Sequence, residues 1–223
     1  MGSATVPVPG FDVQILNKHG QQVQSSETGN IVIKLPLPPG CLPTLWKDDE
    51  RYQTSYLSTF HGYYLTGDGG YKDNDGYVFV MGRTDDVINV AGHRLSTGEM
   101  EELIGGHKAV AECAVVGIAD ELKGQVPAGF VVLKDGYRLE NEDLAPELIM
   151  IIRSNIGAVA NFKQVAIVKR LPKTRSGKIL RKSIRTLADR GKTAIPSTID
   201  DPSILEEIKD VLQKLRIGMA FIK

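Results

Sequence analysis

Two neighbouring stretches of the chain are apolar over almost their whole length, VAECAVVGIA (110–119) and PAGFVVL (127–133). A strand with one face in water alternates apolar and polar side chains, whereas these stretches leave no polar face. We therefore predict that both are central strands of a small sheet whose two faces are covered. Such a sheet needs helices around it, which favours an α+β domain.

Helical patterns occur before and after these stretches. STGEMEELI (96–104) begins with a capping box, in which Ser96 is the N-cap and Glu99 follows three residues later. Residues 141–156 and 178–190 fit two further helices. These three helices are predicted to cover the central sheet.

The predicted strands, turns and helices divide the chain into three regions. Residues 1–83 consist of alternating strands and turns, with DNDG (73–76) as a hairpin loop, which predicts a β-rich region. Residues 84–192 alternate strands and helices, which predicts a compact α+β domain. Residues 193–223 are predicted to be a linker and an amphipathic helix. One apolar stripe defines that helix: Ile204, Leu205, Ile208, Val211, Leu212 and Leu215.

Charge excludes some functions for the chain as a whole. The formal net charge is zero, so the molecule is not built to bind nucleic acid or an acidic membrane. Residues 163–192 hold eleven Lys or Arg and a single acid, Asp189, but Phe162 is the only aromatic residue beside this stretch, which disfavours single-stranded nucleic acid. No apolar run approaches the ~20 residues that a spanning helix needs. Cys41 and Cys113 form no metal-ligand pattern and indicate a reducing compartment.

The basic loop LPKTRSGKIL (171–180) resembles a phosphate-binding loop only superficially. A P-loop needs glycine five residues before Gly177 and Ser or Thr after Lys178, and Pro172 and Ile179 stand there instead. Two interpretations remain. The loop is either a solvated basic segment before a helix, or a mobile loop that carries Lys178 to an anion. Lysine suits the second role because its ammonium is a compact charge on a flexible stem.

Two further motifs contain candidate binding residues. In YYLTGDGGY (63–71), Asp68 can accept two hydrogen bonds from a sugar diol, or it can satisfy its own turn. In MGRTDDVINVAGHRLSTGEMEE (81–102), five charged or titratable residues lie within twelve positions at the start of the α+β region: Arg83, Asp85, Asp86, His93 and Arg94. They are either part of a binding site or the ion pairs of a linker between domains. His93 has no second ligand at metal spacing, so no metal site is predicted.

Taken in this order and spacing, TGD, GRTDD…GHR…EMEE and PKTRSGKILR resemble three signatures of the adenylate-forming enzymes, which include acyl-CoA synthetases, adenylation domains and luciferases. The resemblance covers nearly the whole chain. YLSTFHGYYLTGDGGYKDNDGY and Asn89 are similar to the short-chain branch, which activates acetate and propionate. The resemblance therefore implies an AMP-forming acid–thiol ligase, with propionate slightly favoured.

The resemblance also implies a role for each motif residue. Asp68 and Arg83 would hold the ribose hydroxyls of the nucleotide, and Arg94 would lie near the adenylate phosphate. Asp85 would be the hinge about which the small domain rotates between two half-reactions. Lys178 would bridge the carboxylate and the α-phosphate during adenylation.

For coenzyme A, the resemblance implies that Ala91 and Gly92 line the pantetheine path and that Arg153 meets the 3′-phosphate. The substrates would be a short-chain carboxylate, ATP and CoA, with Mg²⁺ held mainly by the large N-terminal domain, the partner that is missing here. The chain would be the C-terminal third of such an enzyme, inactive alone, in the cytoplasm or the mitochondrial matrix. Residues 1–83 would be the β-rich end of the large N-terminal domain, and residues 84–192 the small, mobile C-terminal domain. The alternative is a stand-alone module that binds CoA or a carrier protein. Acyl-chain length and oligomeric state stay open.

Overall fold

The computed structural model describes residues 2–84 and 86–221. The chain forms two compact units, Met1–Asp85 and Asp86–Lys223, called unit 1 and unit 2 below. No helix in these described ranges is long and apolar enough to cross a bilayer. The predicted boundaries at residues 83 and 192 stay predictions.

Unit 1 is built on an antiparallel sheet of four strands in sequential order. The strands are β1 (Val13–Leu16), β2 (Gly29–Lys34), β3 (Tyr63–Lys72) and β4 (Val78–Arg83). Between β2 and β3 the chain forms a short helix α1 (Asp49–Tyr52), which continues as a π-helical segment (Gln53–Leu57). The predicted β3–β4 hairpin is confirmed, and Asp73 Oδ1 closes its loop by accepting from the amides of Asp75 and Tyr77.

The described residues of unit 2 form a five-stranded sheet and four helices. The strands are β5 (Ile88–Val90), β6 (His93–Leu95), β7 (Val110–Asp120), β8 (Gly124–Leu133) and β9 (Gln164–Ile167). The helices are α2 (Thr97–Gly105), α3 (Asn141–Asn155), α4 (Arg181–Arg190) and α5 (Ile204–Leu215), with a 3₁₀ turn at Ala158–Ala160. The strand order is β6-β5-β8-β7, and β9 runs parallel to β8.

Helices cover both faces of this sheet, as the sequence predicts. Ala114, Val116 and Ile118 of β7 pack with α4 and α5, whereas Val115 packs with α2 and α3. β8 is central, but the prediction that β7 is central is wrong, because β7 pairs only with β8 among the described strands. An edge strand with both faces covered needs the same continuous apolar sequence as a central one. The pattern therefore reports coverage of the faces and not the position in the sheet.

Helix α4 begins at Arg181 and not at residue 178. The residues before it form a tight turn in which Lys173 and Ile179 are bridge partners, so their backbone hydrogen bonds lie outside any helix. The predicted C-terminus is confirmed. Gly191 has φ +71° and donates its amide to the Leu187 carbonyl.

Helix α5 packs on the same core as α4. Its stripe residues Ile204, Leu205, Ile208 and Leu212 are buried there. Burial of such a side chain is typically worth about 1.5–3 kcal/mol, so the amphipathic helix predicted after the linker is a structural part of unit 2.

Candidate active site

In unit 1, Asp68 and Arg83 lie directly opposite each other on strands β3 and β4. Arg83 Nη1 is 3.7 Å from Asp68 Oδ1, and the side chains are 50% and 37% exposed. Nη1 also donates to the Thr66 carbonyl at 3.2 Å. A carboxylate with free lone pairs therefore lies beside a guanidinium that is held in place by the backbone. A vicinal diol can bind such a pair by donating to the carboxylate and accepting from the guanidinium.

Gly67 makes room for this pair. Its φ is +81°, and a Cβ at this position would lie 2.7 Å from the guanidinium nitrogens of Arg83. Any larger residue would therefore displace Arg83 as well as strain the backbone. The glycine before Asp68 in the TGD motif thus has a structural reason to be there.

In unit 2, Ala91 and Gly92 form the two-residue turn between β5 and β6. Both have positive φ, +49° and +92°, as a type I′ hairpin turn requires. The Ala91 amide donates to the Lys123 carbonyl at 2.9 Å and the Gly92 amide to Asn89 Oδ1 at 3.0 Å. A Cβ on Gly92 would meet no atom within 4 Å. The turn is therefore an exposed, well-anchored point that carries only the methyl group of Ala91.

Arg94 follows on β6, opposite Asn89 of β5, and is exposed. Neither Arg94 nor His93 forms an ion pair with the residues that the structure describes. One hairpin thus presents Ala91, Gly92 and Arg94, the three residues that the resemblance assigns to the thiol path and the adenylate phosphate.

Arg153 lies in the last turn of α3 and lines a cleft of about 280 Å³. The cleft has an apolar side with Ile149, Ile152 and Phe162, and a second cation, Lys163, lies on its rim. Sequence analysis missed Lys163, because a single lysine before a strand carries no signal of its own. Two cations beside apolar surface suit a phosphate attached to a flat organic group.

Lys178 follows a tight turn over residues 174–177. The Thr174 amide donates to the Lys178 carbonyl at 2.8 Å, the Lys178 amide donates to Thr174 Oγ1 at 3.1 Å, and Gly177 has φ +84°. The Lys178 side chain is exposed and forms no ion pair within the described part of the chain. Its charge is therefore available to an anion.

A second segment borders this loop. The Arg175 amide donates to the Thr198 carbonyl at 3.1 Å, and the Asp200 amide donates to the Lys173 carbonyl at 2.9 Å. Two backbone hydrogen bonds, one on each side of Thr174, therefore hold the loop against the 198–200 segment.

Asp85, predicted to be the hinge, lies outside the described residues. Among residues 2–84 and 86–221, no group of three or more His, Cys, Asp or Glu side chains is arranged to hold a metal ion. The assignment of Mg²⁺ to another part of the enzyme stays a prediction.

Residues 99–178 match the family of AMP-binding enzyme C-terminal domains. The chain is 58% identical over 217 residues to an uncharacterised protein of Pseudomonas aeruginosa, covering 97% of the chain and 35% of that protein. It is 47% identical to human acyl-CoA synthetase short-chain family member 3, mitochondrial (96% and 31%), and 45% identical to propionate–CoA ligase of Escherichia coli (96% and 35%). The chain thus spans about a third of the length of the curated relatives it matches.

A solved structure gives the same result at the level of the fold. Acetoacetyl-CoA synthetase from Streptomyces lividans superposes with a TM-score of 0.82 at 25% identity, over 96% of this chain and 32% of that one. Together with the relatives, this confirms the α+β fold expected from the resemblance. Over nearly its whole length the chain is thus homologous to short-chain acyl-CoA synthetases, and it contains a region that matches the AMP-binding enzyme C-terminal domain.

Proposed function

We propose that this chain is the part of an AMP-forming short-chain acyl-CoA synthetase that binds the ribose, supplies the adenylation lysine and admits the CoA thiol. The whole enzyme would convert a short-chain carboxylate, ATP and CoA into acyl-CoA, AMP and pyrophosphate. Because the chain spans about a third of its relatives, we infer that it needs the remaining sequence for activity.

In the first half-reaction, a carboxylate oxygen attacks the α-phosphorus of ATP, the bond to the bridging oxygen breaks, and pyrophosphate leaves. Negative charge accumulates between carboxylate and phosphate as they approach. The exposed ammonium of Lys178 would neutralise that charge, an effect typically worth about 3–4 kcal/mol for one well-placed donor. Asp68 and Arg83 would hold the ribose diol and so fix the α-phosphate.

In the second half-reaction, the CoA sulfur attacks the acyl carbonyl of the adenylate, the carbonyl–oxygen bond to AMP breaks, and the thiol proton is lost. The hairpin tip at Ala91 and Gly92 would border the pantetheine chain, because its only side chain is a methyl group, which is too small to block a thiol. Arg94, on the same hairpin, would face the adenylate phosphate. Arg153 would bind the 3′-phosphate of CoA in its cleft.

One observation carries this proposal above all others. The chain is similar to acyl-CoA synthetases over 96% of its length, and within that length Lys178 is exposed and free of ion pairs with described residues. A stand-alone module that binds CoA would need Arg153 and the hairpin, but it would not need the Asp68–Arg83 pair or Lys178.

For the substrate we propose propionate or a similarly short acid, because one relative is named a propionate–CoA ligase. For the location we propose the mitochondrial matrix or the cytoplasm, since the human relative's name includes mitochondria and another relative is bacterial.

The decisive experiment separates the two half-reactions in the full-length enzyme that contains this chain. Lys178→Ala should lower formation of the acyl-adenylate a few hundredfold, the equivalent of about 3–4 kcal/mol. It should leave transfer from supplied acyl-adenylate to CoA unchanged. Lys182→Ala, an exposed lysine of the nearby helix, is the matched control and should change neither step.

A Lys178→Ala enzyme that is equally inactive with supplied adenylate would contradict the assigned role. The wild-type enzyme would have a different function if it bound CoA but formed no acyl-CoA from any short-chain acid. That result would support the stand-alone binding module.

A further inference from the structure

One partly buried ion pair in unit 2 has no part in the proposed chemistry. Arg181, the first residue of α4, donates to Glu101 of α2 through Nε at 2.9 Å and through Nη2 at 2.8 Å. The side chains are only 24% and 17% exposed. The hydrogen bonds from Arg181 to Glu101 also raise the pKa of the guanidinium. A bidentate pair of this kind fixes direction as well as distance.

Glu101 makes a third contact that involves the sheet. Its Oε1 accepts from the backbone amide of Val115 at 2.8 Å, on the edge of β7 that faces away from β8. One carboxylate thereby joins α2, the start of α4 and β7. Removal of this carboxylate would leave a half-buried guanidinium and an edge amide without their partner.

The start of α4 also sets the position of the adenylation loop. Lys178 is three residues before Arg181. At the other end of the loop, Lys173 forms an ion pair with Glu112 of β7 at 2.6 Å, and backbone hydrogen bonds join Lys173 and Arg175 to the 198–200 segment. The Glu101–Arg181 pair is therefore an ion pair that ties the Lys178 end of the loop to α2 and, through the Val115 amide, to β7.

The thiol-path hairpin has separate supports. The Ala91 amide is bonded to the Lys123 carbonyl, and Val90 pairs with Gly124 of β8. Neither contact involves Glu101 or Arg181. Loss of the ion pair should therefore affect the loop and leave the hairpin in place.

We propose that Glu101 and Arg181 are positioning residues for Lys178, and that they act on adenylation and not on thioester formation. This inference rests on the proposed function, because it requires Lys178 to act in only one half-reaction. A salt bridge that only stabilises unit 2 would instead reduce both half-reactions together.

The test uses Glu101→Gln in the full-length enzyme, with Glu102→Gln as the control. Glu102 is adjacent and exposed, and its substitution makes the same change in net charge. The glutamine amide of the first variant would keep one acceptor oxygen but lose the two-point ionic contact with Arg181. Glu101→Gln should lower the kcat of adenylation about tenfold with the KM for ATP unchanged, while transfer from supplied adenylate stays within twofold. Glu102→Gln should leave both steps within twofold.

Arg181→Lys is the second variant, because it keeps the charge and only part of the geometry. Its adenylation rate should fall less than that of Glu101→Gln, and it carries the test if Glu101→Gln fails to fold. Equal losses in both half-reactions would overturn the proposal, as would an adenylation rate equal to that of the control. Absence of acyl-CoA formation by the wild-type enzyme would instead refute the proposed function.

Discussion

Substitution of Gly92 should have two separable effects, one on the stability of the fold and one on the transfer of the acyl group to CoA. Its φ of +92° is costly for any L-residue, by about 1–2 kcal/mol in this region. A Cβ built on it meets nothing within 4 Å, so the fold itself has room for a larger side chain. Gly92→Ala and Gly92→Leu should therefore lower stability by a similar amount, seen as a fall of several degrees in the unfolding midpoint.

Only the leucine adds bulk beyond the hairpin tip, where we place the pantetheine chain. In the full-length enzyme, Gly92→Leu should slow transfer from acyl-adenylate to CoA about a hundredfold, the size of effect expected when a reacting group is displaced by about 1 Å. Pyrophosphate exchange, which reports adenylation, should stay within twofold of the Gly92→Ala enzyme. If alanine and leucine slow transfer equally, or if leucine slows both half-reactions, the hairpin tip does not border the thiol path and our reasoning fails.

Two further predictions concern other parts of unit 2. In the full-length enzyme, Lys163→Met should raise the KM for CoA about tenfold, which corresponds to a loss of ~1.4 kcal/mol in binding free energy. The KM for dephospho-CoA, which lacks the 3′-phosphate, should stay unchanged. Equal increases for both substrates would mean that Lys163 does not contact the 3′-phosphate. The pKa of Asp201 is lowered by hydrogen bonds from Ser203 and Arg170, and that of Glu207 by its hydrogen bond from Arg170. Groups with a lowered folded-state pKa stabilise the protein above their ordinary pKa, and that stability is lost as the pH falls through the lowered value. Arg170→Met should therefore make the unfolding midpoint less sensitive to acid as the pH falls below the ordinary carboxyl pKa, and an unchanged acid dependence would refute this.

Much of the fold could be predicted because local signals and burial agree. The Ser96 cap is a direct example, since its Oγ accepts from the Glu99 amide as the capping box predicts. The edge position of β7 could not be predicted, because the pairing partner of a strand depends on distant parts of the chain. The start of α4 was misplaced for a related reason. Residues 178–180 have helical propensity, but their backbone groups pair with residues 172–174 instead.

The candidate site was predictable where a motif places its residues close together in sequence. Ala91, Gly92 and Arg94 lie within four residues and share one hairpin. Asp68 and Arg83 are opposite each other because a hairpin loop sets the register of β3 and β4. Lys163 could not be found this way, since it meets the cleft of Arg153 only after α3 and β9 have packed.

The segment beside the lysine loop has a consequence for engineering. The family match stops at residue 178, which would tempt a designer to exchange domains between synthetases near that point. The Thr198 carbonyl and the Asp200 amide, however, bond the loop that presents Lys178. A graft that ends before residue 200 would transplant the lysine without one of its two backbone supports. Helix α5, which follows this segment, packs on the same core as α4. The smallest transferable unit therefore extends through α5, and the recipient enzyme should be cut beyond Leu215.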